Sequence, residues 1–445
     1  MPSRIVFISV ITFFCVFKLF AQQGIHGPKV VTSANTIVNE YTSITAYVPA
    51  GSTTLPVAAS SLNANNRFAG PLVPGDLIMI YQVQGAIIKD IWSAPNPDTT
   101  WGKIVTSGDY YSTGRYEFHQ VSAVPNSTSI VINCATTYDY IPNGATARKP
   151  MVIRVPRYTT LTINSAGVLT CDDWAGTLGG VLAVEVQGNT VINAGGLIDL
   201  NGKGFRGGSL VGDNNTQFGS NTNASTNSFL GAEKGEGVAG YQAEYDAFGG
   251  RYCRAPGANG GGGGCAHNGG GGGGANAPNS SSNSAYWSGN GIPDQTTPGW
   301  TTAWNLEAPM NTMSLRTSLN SAGGGRGGYS FSSANLNALT VGPSNASWGG
   351  DYRNSVATGL GGRPLDYSTG RLFFGGGGGA GDQNNLGGGV GGDGGGLCYL
   401  MVFGGIAGSG TISANGLNGL NGQGGTGFIT GIDGAGGGGA GGAII

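Results

Sequence analysis

The stretch that decides the fold is Gly179-Gly180-Val181-Leu182-Ala183-Val184-Glu185-Val186, in which two glycines introduce an apolar run. It closes with Ile198-Asp199-Leu200-Asn201-Gly202. The same order returns near the C-terminus, where Gly395-Gly396 introduces Leu397-Cys398-Tyr399-Leu400-Met401-Val402 and the ending recurs as Ile412-Ser413-Ala414-Asn415-Gly416. Short apolar runs that recur with the same flanking residues are typical of a β-solenoid, in which each copy forms one rung.

Further copies extend this pattern in both directions. Short strand signals at residues 158–164 and 167–170 precede the first copy, so we expect solenoid rungs over residues 158–208 and again over 395–445. A third copy begins at Gly441-Gly442-Ala443-Ile444-Ile445, where the sequence stops inside an apolar strand. Such an end would leave an unpaired strand edge, and we therefore expect the sequence to be a fragment of a longer protein.

Glycine dominates the composition, with 88 of 445 residues, while charged residues make up only 10%. Glycine costs about 1 kcal/mol per helix-interior position relative to alanine, which argues against a helix bundle. The Gly-X-Y period of collagen is missing, and the many large apolar side chains argue against a disordered chain. The composition therefore favours a β or polyglycine architecture.

The glycines concentrate in residues 209–394, with runs at 260–264, 269–274 and 375–379. A flexible linker would explain the composition, but linkers normally lack the aromatic residues that recur here. Extended polyglycine of the polyproline II type has three residues per turn, and its backbone groups point sideways. Without side chains, such strands can pack closely and hydrogen-bond laterally. We therefore predict ordered polyglycine II-like segments inserted between the solenoid rungs.

Residues 22–157 show a different pattern of short β-rich runs separated by Gly and Pro. The run Asp76–Val83 mixes continuous apolar sequence with alternation, so at least one strand should be buried on both faces. The predicted fold is all-β: a small N-terminal β-sandwich or barrel, followed by a glycine-rich β-solenoid with polyglycine II-like segments.

Residues 1–21 have the character of an export signal. Arg4 precedes the apolar stretch from Ile5 to Phe17, and Ala21 offers a cleavage site before Gln22. The stretch is short for a membrane anchor, and we expect no membrane insertion once it is removed. Removal would delete Arg4 and Lys18 and leave a slightly acidic chain without basic clusters, which argues against nucleic acid as a partner. The sequence predicts a secreted or cell-surface protein.

Four segments carry a family resemblance. Thr170–Gly180, Asn201–Gly208, Ala258–Gly274 and Phe374–Asn385 combine glycine blocks with fixed flanking residues, and they resemble the glycine-rich surface proteins of gliding and related Bacteroidota. The resemblance implies a secreted, adhesin-like protein, commonly exported by type IX secretion through a C-terminal sorting domain. No such domain is recognised in these residues, which agrees with a fragment or argues against that route. In composition the blocks are also similar to phage tail-fibre adhesins and to the glycine-rich domain of certain receptor kinases.

Chemical motifs are sparse, and we predict no catalytic residue, no cofactor and no metal. Glycine blocks match nucleotide-binding patterns without the strand and helix that would give them meaning. Cys253 and Cys265 are the most local cysteine pair and a candidate disulfide in an exported protein; buried free thiols are the alternative. Several polar residues border glycine blocks and are expected to hydrogen-bond glycine backbone as structural plugs: His267, Asn268, Asp382, Asn384 and Asn385.

A binding role suits this composition better than catalysis. Exposed aromatic rings beside Asn and Ser can stack on sugar rings, although the same rings can equally cover glycine backbone from water. The candidates for ligand contact are Tyr286, Trp287, Trp300, Trp304 and Trp348. The predicted function is that of a non-enzymatic adhesin-like protein whose partner is a glycan, an abiotic surface or another surface protein. The alternatives are a carbohydrate-active β-helix enzyme and a purely structural stalk.

Overall fold

The structure is a computed structural model. It describes residues 23–88, 102, 104, 107–142, 148–211, 223–265, 269–277, 327, 358–383, 386–423 and 433–445. These residues form four β-sheets and very little helix. The strands are β1 (Lys29–Val31), β2 (Thr36–Ile37), β3 (Glu40–Ser43), β4 (Thr54–Pro56), β5 (Leu77–Gln82), β6 (Tyr116–Asn126), β7 (Ser129–Ile132), β8 (Pro150–Val155), β9 (Arg157–Tyr158), β10 (Leu161–Ile163), β11 (Val168–Thr170), β12 (Val181–Val186), β13 (Thr190–Ile192), β14 (Leu197–Asp199), β15 (Leu397–Val402), β16 (Ile406–Gly408), β17 (Thr411–Ser413) and β18 (Ala443–Ile444).

Helical structure in the described residues is limited to one short α-helix and two 3-10 turns. The α-helix, α1, covers Ala243–Ala247, and the turns cover Ser107–Tyr110 and Ser228–Leu230. In the part of the chain that the structure describes, no helix has the length and apolar composition needed to cross a membrane. The predicted all-β class is therefore confirmed.

Three parallel sheets build the solenoid, in the orders β1-β10-β13-β16, β2-β11-β14-β17 and β9-β12-β15-β18. Each complete rung contributes one strand to each sheet, and the repeated sequence copies lie directly above one another. Val181 pairs with Leu397, which in turn pairs with Ala443, so all three copies are in register. The two endings also align, since Ile198 pairs with Ile412. The predicted solenoid is therefore confirmed.

A buried ion pair lies on the face of the solenoid that packs against the antiparallel domain. Glu185, in the middle of the apolar run of β12, pairs in register with Arg157 of β9. The Nε of Arg157 donates to a Glu185 carboxylate oxygen at 2.6 Å, and both side chains are almost fully buried. Two opposite charges at this distance neutralise each other, which allows a charged residue to lie in an otherwise apolar strand.

An antiparallel domain interrupts the solenoid between its first and second rungs. Its six strands follow the order β3-β8-β5-β6-β7-β4, and a bridge between Ile44 and Val57 joins the two outer strands. Every residue of β5 and of β8 is buried, which confirms the strand buried on both faces that the Asp76–Val83 run predicted.

The first solenoid rung comes from a part of the chain that the sequence analysis grouped with this antiparallel domain. Strands β1 and β2 pair with β10 and β11, not with the antiparallel sheet. The structure therefore assigns residues 24–39 to the solenoid, and the antiparallel domain begins at β3 rather than at residue 22. Two- and three-residue strands carry too little pattern to show which sheet they join, because only their pairing partner decides it.

Most of the polyglycine segments lie between β14 and β15 along the chain. Segment 375–381 lies at their centre, and its backbone N–H groups donate with a period of three residues. Gly375, Gly378 and Gly381 donate to segment 389–395; Gly376 and Gly379 donate to 272–275; Gly377 and Ala380 donate to 233–236. This period is that of polyglycine II, with three residues per turn.

Three further segments donate to the carbonyl groups of the same central segment. Segments 205–208, 261–264 and 437–440 bond to it, again with a period of three residues. Segment 375–381 therefore has six neighbours, and we call these seven segments the polyglycine bundle. The prediction of ordered polyglycine II-like segments is confirmed for this part of the chain.

Only glycine fits at the centre of the bundle. A Cβ on Gly376, Gly377 or Gly378 would lie 1.9 Å from a carbonyl oxygen of a neighbouring segment. No real Cβ approaches backbone so closely, so the neighbouring segment would have to move. Close approach, and not flexibility, is the reason for glycine here.

One aromatic residue joins the three parts of the fold. Phe374, which directly precedes the central segment, packs edge-on against Tyr81 of the antiparallel domain at 5.8 Å between ring centroids. Trp174 and Phe205 contact the same ring at 5.6 and 5.3 Å. All four side chains belong to one buried cluster, so the antiparallel domain, the solenoid and the bundle share a hydrophobic core.

Candidate functional site

An open polar pocket lies where the three parts of the fold meet, and its volume is about 160 Å³. We call it the junction pocket. The antiparallel domain contributes two lining side chains, the solenoid side contributes Gly176 and Arg206, and the remainder comes from the chain around α1. The lining residues are Gln84, Lys149, Gly176, Arg206, Glu236, Tyr241, Gln242, Ala243 and Glu244.

A buried carboxylate organises the base of the junction pocket. Glu236 is fully buried, and its carboxylate accepts five hydrogen bonds. The donors are Nε2 of Gln84 at 2.8 Å, Nε1 of Trp174 at 2.9 Å, and the backbone N, Nε and Nη2 of Arg206 at 3.0, 2.7 and 3.2 Å. These bonds satisfy the carboxylate completely and fix the Arg206 side chain beside it.

Arg206 is the half-exposed member of this ion pair, with 40% of its side chain accessible. Burial alone would lower the pKa of its guanidinium, but the hydrogen bonds to Glu236 outweigh burial and raise that pKa above its ordinary value. Arg206 therefore presents a permanent positive charge and free donor capacity at the pocket wall.

Tyr241 supplies an aromatic wall under the Arg206 guanidinium, whose Cζ lies 4.6 Å from the ring centroid. The Tyr241 hydroxyl is buried among oxygen atoms of Gly207, Glu233 and Ser209, at 3.0, 3.1 and 3.1 Å. Burial, followed by the charge of Glu233, raises the pKa of this hydroxyl. The ring is therefore a fixed neutral surface and its hydroxyl is not a general base.

The backbone on the other side of the pocket has an unusual conformation. Gln242 has φ +35°, and Gly240 has φ +123°. A side chain on Gly240 would lie 2.5 Å from Glu244, whose carboxylate accepts a hydrogen bond from the backbone N–H of Tyr241 at 3.1 Å. A non-glycine residue held at positive φ costs about 1–3 kcal/mol, and such strain concentrates at functional positions. Here the backbone conformation at residues 240–242 places Gln242 and Glu244 at the pocket wall.

The junction pocket combines fixed donors and acceptors with an aromatic surface. Arg206, Lys149 and Gln242 offer donors, and Glu244 offers an acceptor. Among the described residues, no group of three or more His, Cys, Asp or Glu side chains is placed to hold a metal ion. The arrangement is suited to binding a polar ligand rich in hydroxyl groups.

Most of the candidate residues from the sequence lie outside the described residues. This applies to the five aromatic candidates Tyr286, Trp287, Trp300, Trp304 and Trp348, and to His267, Asn268, Asn384 and Asn385. Asp382 is described and fully buried; its backbone N–H donates to Gly269, and its carbonyl accepts from Gly434. The backbone of Asp382 thus joins two glycine segments, while the role of its side chain as a structural plug stays a prediction.

The cysteine pair is brought together but is not bonded. Cys253 and Cys265 are both reduced and both fully buried. Their sulfur atoms donate to the same carbonyl oxygen, that of Leu230, at 3.2 and 3.0 Å. The closeness of Cys253 and Cys265 along the chain therefore predicted that they meet in the fold. In the structure both are reduced and no disulfide joins them.

Sequence reasoning did not identify the residues of the junction pocket. Arg206 and Glu236 are 30 positions apart along the chain and lie in glycine-rich sequence, where single charges carry no periodic signal. The scarcity of charged residues was the one available signal, because an isolated charge amid glycine and apolar residues needs a partner when it is buried.

No protein-family model and no curated protein matches the chain. Among solved structures it is weakly similar to three phage tailspikes. The gp54 tailspike of Acinetobacter baumannii bacteriophage AP22, solved with A. baumannii capsular saccharide, is 12% identical, with a TM-score of 0.17, over 39% of this chain and 24% of that chain.

Two Pseudomonas phage tailspikes give similar values. Gp61 of phage phi297 is 16% identical, with a TM-score of 0.15, over 34% of this chain and 22% of that one. Gp49 of phage LKA1 is 14% identical, with a TM-score of 0.16, over 38% of this chain and 30% of that one. The chain thus spans less than a third of each tailspike, and similarity at this level does not indicate a shared activity.

Proposed function

We propose that this protein is an exported, adhesin-like surface protein that binds glycans in the junction pocket without cleaving them. The observation that carries the proposal is the pocket itself: Arg206, Tyr241 and Glu244 present a cation, an aromatic surface and a carboxylate toward one polar cavity. Sugars offer hydroxyl groups to such donors and acceptors and an apolar ring face to aromatic side chains.

The rigid setting of the pocket supports binding. Its walls come from three parts of the fold that share one hydrophobic core, and the polyglycine bundle lies directly behind Glu236. A preformed site loses little conformational entropy when a ligand binds, which favours affinity. Export to the cell surface and the likeness to surface proteins of Bacteroidota belong to the same proposal.

The carboxylates of the pocket favour binding over hydrolysis. Glycoside hydrolysis uses two carboxyl groups, one of which must donate a proton. Glu236 accepts five hydrogen bonds, two of them from the guanidinium of Arg206, so both of its carboxylate oxygen atoms are already occupied as acceptors. Only Glu244 is left as a second carboxylate in the lining, and it accepts a backbone hydrogen bond.

A glycan array with matched variants tests the proposal. Glu244→Gln and Lys149→Met change pocket groups, and we expect each to weaken binding to the preferred glycan about tenfold, the cost of about one hydrogen bond to a charged group. Asp366→Asn alters an exposed carboxylate outside the lining and should leave binding unchanged. If all three variants bind the glycan as well as the wild type does, the glycan binds elsewhere. If the wild type releases sugar ends from the glycan, the protein is an enzyme.

A further inference from the structure

The thiol pair of Cys253 and Cys265 lies where the loop after residue 250 meets glycine segment 261–264. Neither side chain has accessible surface, and both thiols donate to the Leu230 carbonyl oxygen, at 3.2 and 3.0 Å. Both sulfur atoms lie about 3 Å from the same oxygen atom, so the two thiols are neighbours in the folded protein.

We propose that Cys253 and Cys265 are a modification site, at which a disulfide forms while the protein folds. A small-molecule disulfide, or the disulfide of an oxidoreductase in the export compartment, accepts the electrons. One cysteine thiolate attacks a sulfur of that disulfide and releases one thiol; the second cysteine then displaces the other. Two S–H bonds and the external S–S bond are lost, one internal S–S bond forms, and the two hydrogens end on the released thiols.

The backbone around Cys253 is arranged for this contact. Cys253 has φ +74°, a conformation that few non-glycine residues adopt. Residue 231 is glycine, and a Cβ there would lie 2.8 Å from the Cys253 sulfur, so any other residue would occupy the space that the sulfur uses. The positive φ of Cys253 and the absence of a side chain at Gly231 together allow the Cys253 sulfur to occupy this position.

Because both cysteines are buried in the folded protein, the disulfide can form only while the chain is folding. Loss of solvent raises the pKa of the Cys253 thiol well above its ordinary value, which disfavours its thiolate in the folded protein. Exchange also requires access for the oxidant, and both cysteines are fully buried. The bond must therefore form before the polyglycine bundle closes, and afterwards reductants do not reach it.

The loss of both thiol hydrogens removes two donors from the Leu230 carbonyl. Leu230 is only half-buried and follows the exposed Phe229, so water can replace those donors. On the other side of the loop, the ammonium of Lys234 holds the Cys253 carbonyl at 2.6 Å in either redox state. The bond would close the turn in which Gly257 and Gly260 exchange backbone hydrogen bonds.

Refolding followed by thiol mapping tests the proposal. The full chain is unfolded under reducing conditions, refolded with oxidised and reduced glutathione, and then denatured with an alkylating reagent and no reductant. Trypsin cleaves after Arg254, between the two cysteines, so a disulfide joins two separate peptides. We expect these peptides to be linked and unlabelled, while the buried thiols Cys171 and Cys398 are fully labelled.

Two controls complete the experiment. Protein folded under reducing conditions and then exposed to oxidised glutathione should stay reduced at both positions, because the folded pair is inaccessible. In Cys265→Ser, the peptide that carries Cys253 should not be linked to another peptide of the chain, whatever the redox buffer. Full labelling of Cys253 and Cys265 after oxidative refolding, or linkage of either to another cysteine, would overturn the proposal. The result does not depend on glycan binding, which the pocket variants measure separately.

Discussion

The backbone N–H of Gly377 donates to the carbonyl oxygen of Glu236 at 3.0 Å, so the centre of the polyglycine bundle holds the residue whose carboxylate organises the junction pocket. A lattice of glycine backbone thereby sets the position of a buried charge. Glu236 in turn fixes Arg206, whose guanidinium lines the pocket. The bundle is therefore part of the support of the site and not a spacer between domains.

Alanine at the centre of the bundle should be strongly destabilising. A Cβ on residue 377 would lie 1.9 Å from the Arg206 carbonyl oxygen, so we expect Gly377→Ala to lower the free energy of unfolding by about 2–4 kcal/mol. Gly438→Ala is the matched control, because its Cβ would meet only the Leu417 carbonyl at 3.6 Å; its effect should stay within about 0.5 kcal/mol. Urea unfolding measures both, and equal effects would contradict the packing described.

The backbone amides of the bundle should exchange slowly with solvent. Residues 375–381 and 261–264 donate hydrogen bonds and are fully buried, and buried hydrogen-bonded amides exchange only when the structure opens. Hydrogen–deuterium exchange read by mass spectrometry should show protection at these glycines comparable to that of β5. Rapid exchange across 261–264 would mean that the segments are flexible.

Removal of the Glu236 charge should cost more than removal of an exposed one. Glu236→Gln leaves the Arg206 guanidinium beside a buried amide, and we expect a loss of about 3–5 kcal/mol in the free energy of unfolding. Asp173→Asn breaks the ion pair with Lys203, in which Asp173 is 75% exposed, and should cost less than about 1 kcal/mol. Denaturant unfolding measures the free energy of unfolding of both variants. Similar losses in the two would contradict a special role for the buried Glu236 charge.

Stability should rise with pH above neutrality because of Lys234. This side chain is fully buried, and burial lowers the pKa of its ammonium to about 7, from 10.5 in the unfolded chain. Between pH 7 and 9 the unfolded state therefore binds more protons than the folded state, so the free energy of unfolding increases with pH, by up to about 1.4 kcal/mol per pH unit. Above pH 9 the buried thiols act in the opposite direction, because burial raises their pKa values.

The variant Lys234→Met should have a flat profile between pH 7 and 9, whatever its overall stability. The comparison is of slopes, since the substitution also removes the donor to the carbonyls of Asn223, Tyr252 and Cys253. If the free energy of unfolding of the wild type does not change between pH 7 and 9, the three carbonyl groups keep the Lys234 ammonium charged in the folded protein.

The aromatic residues proposed from the sequence remain a separate prediction. If Trp300 and Trp304 stack on the bound sugar, Trp300→Ala and Trp304→Ala should each weaken glycan binding about tenfold or more, as loss of an aromatic contact does. Binding on the glycan array should then be affected both by these variants and by Glu244→Gln. Sensitivity to Glu244→Gln alone would restrict the site to the junction pocket.

Several elements of the fold could be predicted from local pattern alone. Paired glycines before Val181 and Leu397 indicated rungs, and the two copies stack in register. The buried run in β5 was recognisable because a strand covered on both faces loses its alternation. The assignment of β1 and β2 was missed, since strands of two or three residues are defined by their partners.

The sequence by itself determined the all-β class, the solenoid repeat and the need for glycine, because these follow from side-chain period and backbone sterics within short segments. Only the tertiary structure decided which glycine segments neighbour segment 375–381, how Glu236 meets Arg206, and where Cys253 meets Cys265. Glycine has no side chain to specify a partner, so the packing of the whole bundle selects which backbone groups pair. The junction pocket exists only where that packing brings the three parts of the fold together.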